Sequence, residues 1–118
     1  MILITGAFGQ DGKILQKKLN NKFPLILVDK LHDNNFKINK RNKIILGDLQ
    51  DFNFIDSIIS QNKITTIFNF ATNSFVDKDH MIRSILFSRC NIFENIINSV
   101  TKNNLVDKIW ILHPISSE

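Results

Sequence analysis

A doubly wound parallel α/β sheet of about five strands, with helices on both faces, is the fold this sequence predicts. Short apolar runs that stop at Gly, Asp or another polar residue recur along the chain. Between them lie segments whose apolar residues repeat at helical spacing. Strands that alternate with helices pair in parallel, because each right-handed crossover returns the chain to the same edge of the sheet. At 118 residues the chain has the length of one domain.

Met1 to Thr5 is apolar up to Gly6 and reads as a strand covered on both faces. A helix follows from about Gln10 to Asn21, where Ile14, Leu15 and Leu19 form an apolar stripe and Lys13, Lys17 and Lys18 a wet face. Phe23-Pro24 ends it, and Leu25 to Val28 forms a second strand closing at Asp29. Leu31 to Asn42 is a long polar connection into a third strand, Lys43 to Leu46. Asp51 caps a helix carrying Phe54, Ile55, Ile58 and Ile59. Thr65 to Phe70, rich in β-branched and aromatic residues, is the fourth strand. The longest helix runs from about Asp79 to Lys102, with Ile82, Ile85, Leu86, Phe93, Ile96, Ile97 and Val100 on one face. Lys108 to Leu112 is the last strand, cut by Pro114. Trp110 and the phenylalanines are read as core.

Composition narrows the function. The chain is 43% hydrophobic and 22% charged, enough hydrophobe for a core, and no apolar run approaches the ~18 residues of a membrane span. The net charge is +4 and the pI near 9.4, but the cations are scattered. The densest run, Lys37 to Lys43, lacks the interleaved aromatics of a nucleic-acid stacking surface and reads as a solvated loop, so neither nucleic acid nor a membrane is an expected partner. Cys90 alone makes no internal disulfide, and no secretory leader is evident, so the cytoplasm is the expected compartment. Cys90 reads as a small packed side chain rather than a nucleophile. His32, His80 and His113 have no ligand spacing, so no metal site is expected. The chain contains no tyrosine.

Ligands on such a sheet bind beyond the carboxyl ends of the strands, here Thr5-Gly6, Asp29, Gly47-Asp48, Phe70-Ala71 and Ile115-Ser116. Three of the four glycines, Gly6, Gly9 and Gly12, form Gly-x-x-Gly-x-x-Gly between the first strand and first helix. Residues without Cβ let backbone amides approach a pyrophosphate at the positive end of a helix, which points to dinucleotide binding. The bland alternative is a tight turn packed against the sheet. Asp29 lies 17 residues past Gly12, near the ~20-residue offset at which a carboxylate holds an adenosine ribose diol. This favours NAD, while Lys30 and the basic loop leave NADP open; the alternative for Asp29 is a turn-forming residue.

These residues resemble the extended short-chain dehydrogenase/reductases that act on nucleotide sugars (NAD-dependent epimerase/dehydratases), and are most similar to their GDP-mannose 4,6-dehydratase-like branch. Thr5 to Gly12, including Phe8, Gln10 and Asp11, is similar to the family's Thr-Gly-x-x-Gly-x-x-Gly loop, with a Gln-Asp-Gly ending like that of the 4,6-dehydratases. Gly47-Asp48-Leu49 resembles the segment whose Asp contacts adenine. Asn69-Phe70-Ala71-Thr72 resembles the segment running beside the cofactor, and Asn91 sits where the family opens Asn-Val-x-Gly-Thr. Ile115-Ser116-Ser117-Glu118 resembles Ser-Thr-(Ser/Asp)-Glu at the end of the fifth strand.

The resemblance implies a Rossmann-type, NAD(P)-binding domain over residues 1–118, partial and truncated before the substrate domain. It implies a nucleotide-sugar substrate, a homo-oligomeric full-length enzyme, and a reaction in which C4 is oxidised, water leaves across C5 and C6, and hydride returns to C6. Ser116 would hydrogen-bond the sugar O4 and Glu118 would remove the C5 proton. Glu118 favours elimination over 4-epimerisation, since epimerases of this fold usually lack a carboxylate there; a frayed, charged chain end is the bland alternative. The family's Tyr-x-x-x-Lys is absent, so the 118 residues alone lack the group that takes the O4 proton. Two rivals therefore stand: a 4-epimerase or reductase of the same family, and a catalytically silent dinucleotide-binding module.

Overall fold

A computed structural model describes residues 1–19, 22–33, 40–71 and 92–113. Its elements are β1 (Ile2–Thr5), α1 (Gln10–Leu19), β2 (Leu25–Asp29), β3 (Lys43–Leu46), α2 (Phe52–Gln61) and β4 (Thr66–Asn69), then helical residues 92–102 (α3) and β5 (Trp110–Leu112). The five strands form one sheet in the order β3-β2-β1-β4-β5. Every pair is parallel. The expected Asp79 to Asn91 part of the long helix lies outside the described residues.

Strand β1 sits at the centre, where Ile2, Leu3, Ile4 and Thr5 are all buried; three of them are β-branched and suit a strand covered on both faces. Leu3 joins Ile26, Val28 and Ile67 on one face, beneath Ile55, Ile58 and Ile59 of α2 and Ile92, Ile96 and Val100 of α3. Ile2 and Ile4 join Leu25 and Leu27 on the other, packed against Leu15 and Leu19 of α1. Helices thus cover both faces of the sheet. At about 1.5–3 kcal/mol per buried aliphatic side chain, these two layers are the main stabilising term.

Capping and helical periodicity account for α2: the Asp51 carboxylate accepts a hydrogen bond from the Asn53 N–H at 3.1 Å. In α1 the buried stripe differs from the expected one. Gly12 and Gln16 are buried and Leu15 and Leu19 half-buried, while Ile14 is 50% exposed. Residues 12, 15, 16 and 19 share one helical face, and the face is set by Gly12, whose close packing on the turn before it turns Ile14 outward. In α3, Ser99 is buried where Ile97 was expected.

Trp110 and Phe23 are exposed rather than core, contrary to the expectation from their hydrophobicity, while Phe54, Phe68 and Phe70 are half-buried against the core clusters; Phe36, Phe75 and Phe87 lie outside the described residues. Trp110 is 78% exposed on the outer strand β5, and Phe23 is exposed in the loop before β2. None of the other described phenylalanines is fully buried. Strands of three to five residues leave a thin core that aliphatic side chains fill, and Phe54, Phe68 and Phe70 pack at its margins. On β3 and β5 only Ile45 and Ile111 pack against the α2 and α3 layer; Ile44, Leu46, Trp110 and Leu112 are exposed.

A polar cluster joins α2 to α3. Asp56 accepts hydrogen bonds from Ser99 Oγ at 2.8 Å and Asn103 Nδ2 at 3.0 Å, and pairs with Lys102 Nζ at 2.9 Å. The Lys102 ammonium first, then the Ser99 hydroxyl, hold the Asp56 carboxyl below the usual carboxylate range. A lowered folded pKa means that the contribution is full above the unfolded value and is lost as pH falls toward the folded one. Asp56→Asn should therefore lower stability at neutral pH, and the difference from wild type should narrow below about pH 4, as read by urea unfolding at several pH values.

Candidate cofactor site

The strand order reverses at β1, which has β2 on one side and β4 on the other, so a crevice opens above their carboxyl ends. The glycine turn occupies that place. Gly6 has φ +64°, a left-handed conformation that glycine adopts without strain. A Cβ there would stand 2.7 Å from the Phe70 carbonyl carbon and 2.8 Å from the Ala71 nitrogen. The turn is therefore pressed against the end of β4. A Cβ on Gly12 would lie 2.6 Å from the carbonyl oxygens of both Gly6 and Ala7. That glycine lets α1 start hard against the turn.

Gly9 is different. It is exposed, has no positive φ, and a Cβ there would meet only the Gly6 oxygen, at 3.4 Å. Internal packing does not demand glycine at this position. What its missing side chain leaves is bare backbone beside the first turn of α1, where N–H groups have no intrahelical acceptor and the helix dipole is positive. An anionic pyrophosphate fits that surface.

Asp29 ends β2 beside this turn. Its Oδ2 accepts from the Phe8 N–H at 2.9 Å, and its Oδ1 from the Lys30 N–H at 2.7 Å. The carboxylate is thus oriented by backbone donors and remains partly exposed, as contact with a ribose diol requires. Gln10 and Asp11 begin α1 and are exposed. Asp48 is exposed after β3, its Oδ1 accepting from the Gln50 N–H. The Leu49 side chain is buried in the larger core cluster and its carbonyl accepts from Asn95 Nδ2, so this residue faces inward. Phe70 and Ala71 abut the glycine turn. Thr72, Asn91, Ser116 and Glu118 lie outside the described residues.

Four polar side chains hold the site together: Gln16 and His113, which the sequence did not mark as site residues, and Thr5 and Asn69, which lie in the expected segments but without an assigned role. Gln16, buried on α1, donates to the Ala7 carbonyl at 2.6 Å and ties helix to turn. Thr5 Oγ1 accepts from the Ala71 N–H at 3.4 Å and donates to Asn69 Oδ1 at 2.5 Å. Asn69 Nδ2 in turn faces His113 Nδ1 at 2.9 Å. Because an amide NH₂ can only donate, His113 accepts through Nδ1, and the ends of β1, β4 and β5 are linked in sequence. Burial was the missing signal: a polar residue inside an apolar run has no local mark of its partner.

Among the described residues no group of three His, Cys, Asp or Glu side chains could hold a metal ion. No helix among them is long and apolar enough to cross a membrane. A cleft of about 460 Å³ lies before β4, lined by Ile59, Asn62, Lys63, Thr65, Asn103 and Leu105 among others. It sits at the amino-terminal end of that strand, away from the glycine turn.

Fold and site define a Rossmann-type domain of the short-chain dehydrogenase/reductase class. The chain belongs to the GDP-mannose 4,6 dehydratase family, whose model matches residues 3–118. Among solved structures it is similar to the L-threonine dehydrogenase of Clostridium difficile, at 23% identity and TM-score 0.79, over 98% of this chain and 36% of that one. It is also similar to the Bordetella bronchiseptica enzyme WbmG in complex with NAD and UDP, at 16% identity and TM-score 0.78, over 95% of this chain and 36% of that one. A UDP-glucose 4-epimerase matches at 23% identity and TM-score 0.73, over 88% of this chain and 32% of that one. The chain spans about a third of the length of these proteins.

The three glycines should respond differently to alanine. Gly6→Ala and Gly12→Ala should each cost about 1–3 kcal/mol through crowding alone, with added backbone strain at Gly6. Gly9→Ala should stay within about 0.5 kcal/mol of wild type in urea unfolding, yet weaken NAD binding tenfold or more by calorimetry.

Proposed function

We propose that this chain is the cofactor-binding part of an NAD-dependent sugar-nucleotide 4,6-dehydratase. The observation that carries the first half of this reading is the bare backbone at Gly9 beside the start of α1, with Asp29 held by two N–H donors next to it. The Gly6 to Gly12 turn, with Phe8, Gln10 and Asp11, binds the pyrophosphate. Asp29 takes the adenosine ribose diol, Asp48 and the Leu49 backbone flank the adenine, and Phe70, Ala71, Thr72 and Asn91 line the path toward the nicotinamide. WbmG, similar in fold, holds NAD and UDP.

When bound, NAD supplies a hydride acceptor for the sugar C4 and a donor for C6. Glu118 removes the C5 proton and Ser116 hydrogen-bonds the O4 oxygen. Their assignment rests on the Ser116-Ser117-Glu118 segment and on the family match over residues 3–118. With no tyrosine in these 118 residues, the acceptor of the O4 proton is not among them, and the chain by itself is inactive. That same composition favours a second reading, a catalytically silent dinucleotide-binding module.

Calorimetry of the chain with NAD tests the binding half: saturable heat is expected, and none overturns it. In a polypeptide that continues past residue 118 into a Tyr-x-x-x-Lys pair, Glu118→Gln should retain NAD binding and slow formation of a 4-keto-6-deoxy sugar nucleotide by about 10²–10⁴-fold. Unchanged dehydration defeats the role of Glu118. A C4 epimer in place of the 4-keto product assigns the chain to an epimerase, and binding without turnover favours the silent module.

A further inference from the structure

The turn between β3 and α2 is closed on itself and gripped from α3. It starts beside Asp29, whose carbonyl accepts from the Gly47 N–H at 3.0 Å. Two successive N–H groups then converge on Asp48: the Gln50 N–H donates to its Oδ1 at 2.9 Å and the Asp51 N–H to its carbonyl at 3.0 Å. Asn95 of α3 holds the other side of the same two peptide units. Its Nδ2 donates to the Leu49 carbonyl and to the Gln50 carbonyl, both at 3.0 Å. The Leu49 carbonyl and the Gln50 N–H belong to one rigid, planar peptide unit, as do the Gln50 carbonyl and the Asp51 N–H. In a trans peptide the two groups point in opposite directions, so a donor on the carbonyl side fixes where the N–H side aims. An amide nitrogen with two N–H groups can fix both units at once.

We propose that Asn95 is a positioning residue for adenine recognition: by holding the Leu49 and Gln50 carbonyls it aims two N–H groups at Asp48 and so fixes the direction of the Asp48 carboxylate toward the adenine 6-amino group. This rests on the dinucleotide-binding reading above, in which Asp48 flanks that ring. Asp48 is exposed, and with Oδ1 engaged by Gln50 its Oδ2 has no partner among the described residues. An ionised carboxylate only accepts hydrogen bonds, and the adenine 6-amino group donates them. Hypoxanthine carries a carbonyl oxygen in that place, an acceptor against an acceptor, so exchanging the base isolates this one contact. Without the Asn95 amide the two carbonyls turn to water, both peptide units rotate, and the carboxylate loses the donor that orients it.

Calorimetric titration of the chain with NAD and with its hypoxanthine analogue, deamino-NAD, tests this. Wild type should bind NAD about tenfold or more tighter than the analogue. Asn95→Leu should bring that ratio below about threefold by weakening NAD, with the affinity for the analogue kept within about threefold. Asp48→Ala should flatten the ratio in the same way, and adding Asn95→Leu to it should then change neither affinity by more than about threefold, because the second substitution acts only through the carboxylate already removed. Where Asn95→Leu folds poorly, Asn95→Ser, which leaves room for water to satisfy both carbonyls without aiming them, carries the same expectation. An unchanged ratio in a folded Asn95 variant overturns the proposal, as does a loss of both dinucleotides in equal proportion, the result a merely structural tie would give. Wild type that binds NAD and the analogue equally overturns this inference alone, whereas wild type that binds neither overturns the binding reading beneath it.

Discussion

The contact between the turn after β1 and the end of β4 is the constraint on which the site depends. With Phe70 and Ala71 lying where a Cβ of Gly6 would be, the turn has no alternative path that keeps β1 and β4 paired in register. From that pressed turn the chain rises through Gly9 and enters α1, and Gly12 allows the helix to start within touching distance of Gly6 and Ala7. A helix placed one residue later or farther away would aim its N–H groups elsewhere. The positive end of α1 is directed over the crevice because two backbone approaches leave it nowhere else to go.

The sheet supplies the rigidity this geometry needs. Each strand end is tied to its neighbour: Ala7 N–H to the Val28 carbonyl, Gly47 N–H to the Asp29 carbonyl, and Phe70 N–H to the Thr5 carbonyl. Above these lies the side-chain relay of Thr5, Asn69 and His113. Buried hydrogen bonds of this kind add little net stability each, about 0.5–1.5 kcal/mol, but an unpaired one is costly, so they select a single arrangement of strand ends. The apolar layers hold the fold, and the polar layer at the carboxyl ends decides how its loops are aimed.

Much of this was legible locally. Lys43–Leu46 matches the expected strand, and Asp51 caps its helix as its chemistry suggests. The glycine spacing and Asp29 pointed to the crevice, since a turn without Cβ and a strand-end carboxylate carry their meaning in the residue type. What failed was anything that depended on which side a residue would face. Ile14 reads as core and is exposed, Gln16 lies outside the expected stripe and is buried, and Trp110 stands in solvent on β5. Hydrophobicity ranks residues for burial, but the number of inward positions is set by how many strands and helices stack there.

Residue order alone was sufficient for the alternation of strand and helix, the glycine turn and the acidic residue at the end of the second strand, because these follow from periodicity and from the absence or presence of particular side-chain atoms within a few positions. Tertiary structure decided the strand order, the separate duties of the three glycines, and the partnerships of Thr5 with Asn69, Asn69 with His113 and Lys13 with Asp33. Those pairs are separated by 20 to 64 positions along the chain, and only the packing of the sheet brings them within hydrogen-bonding reach.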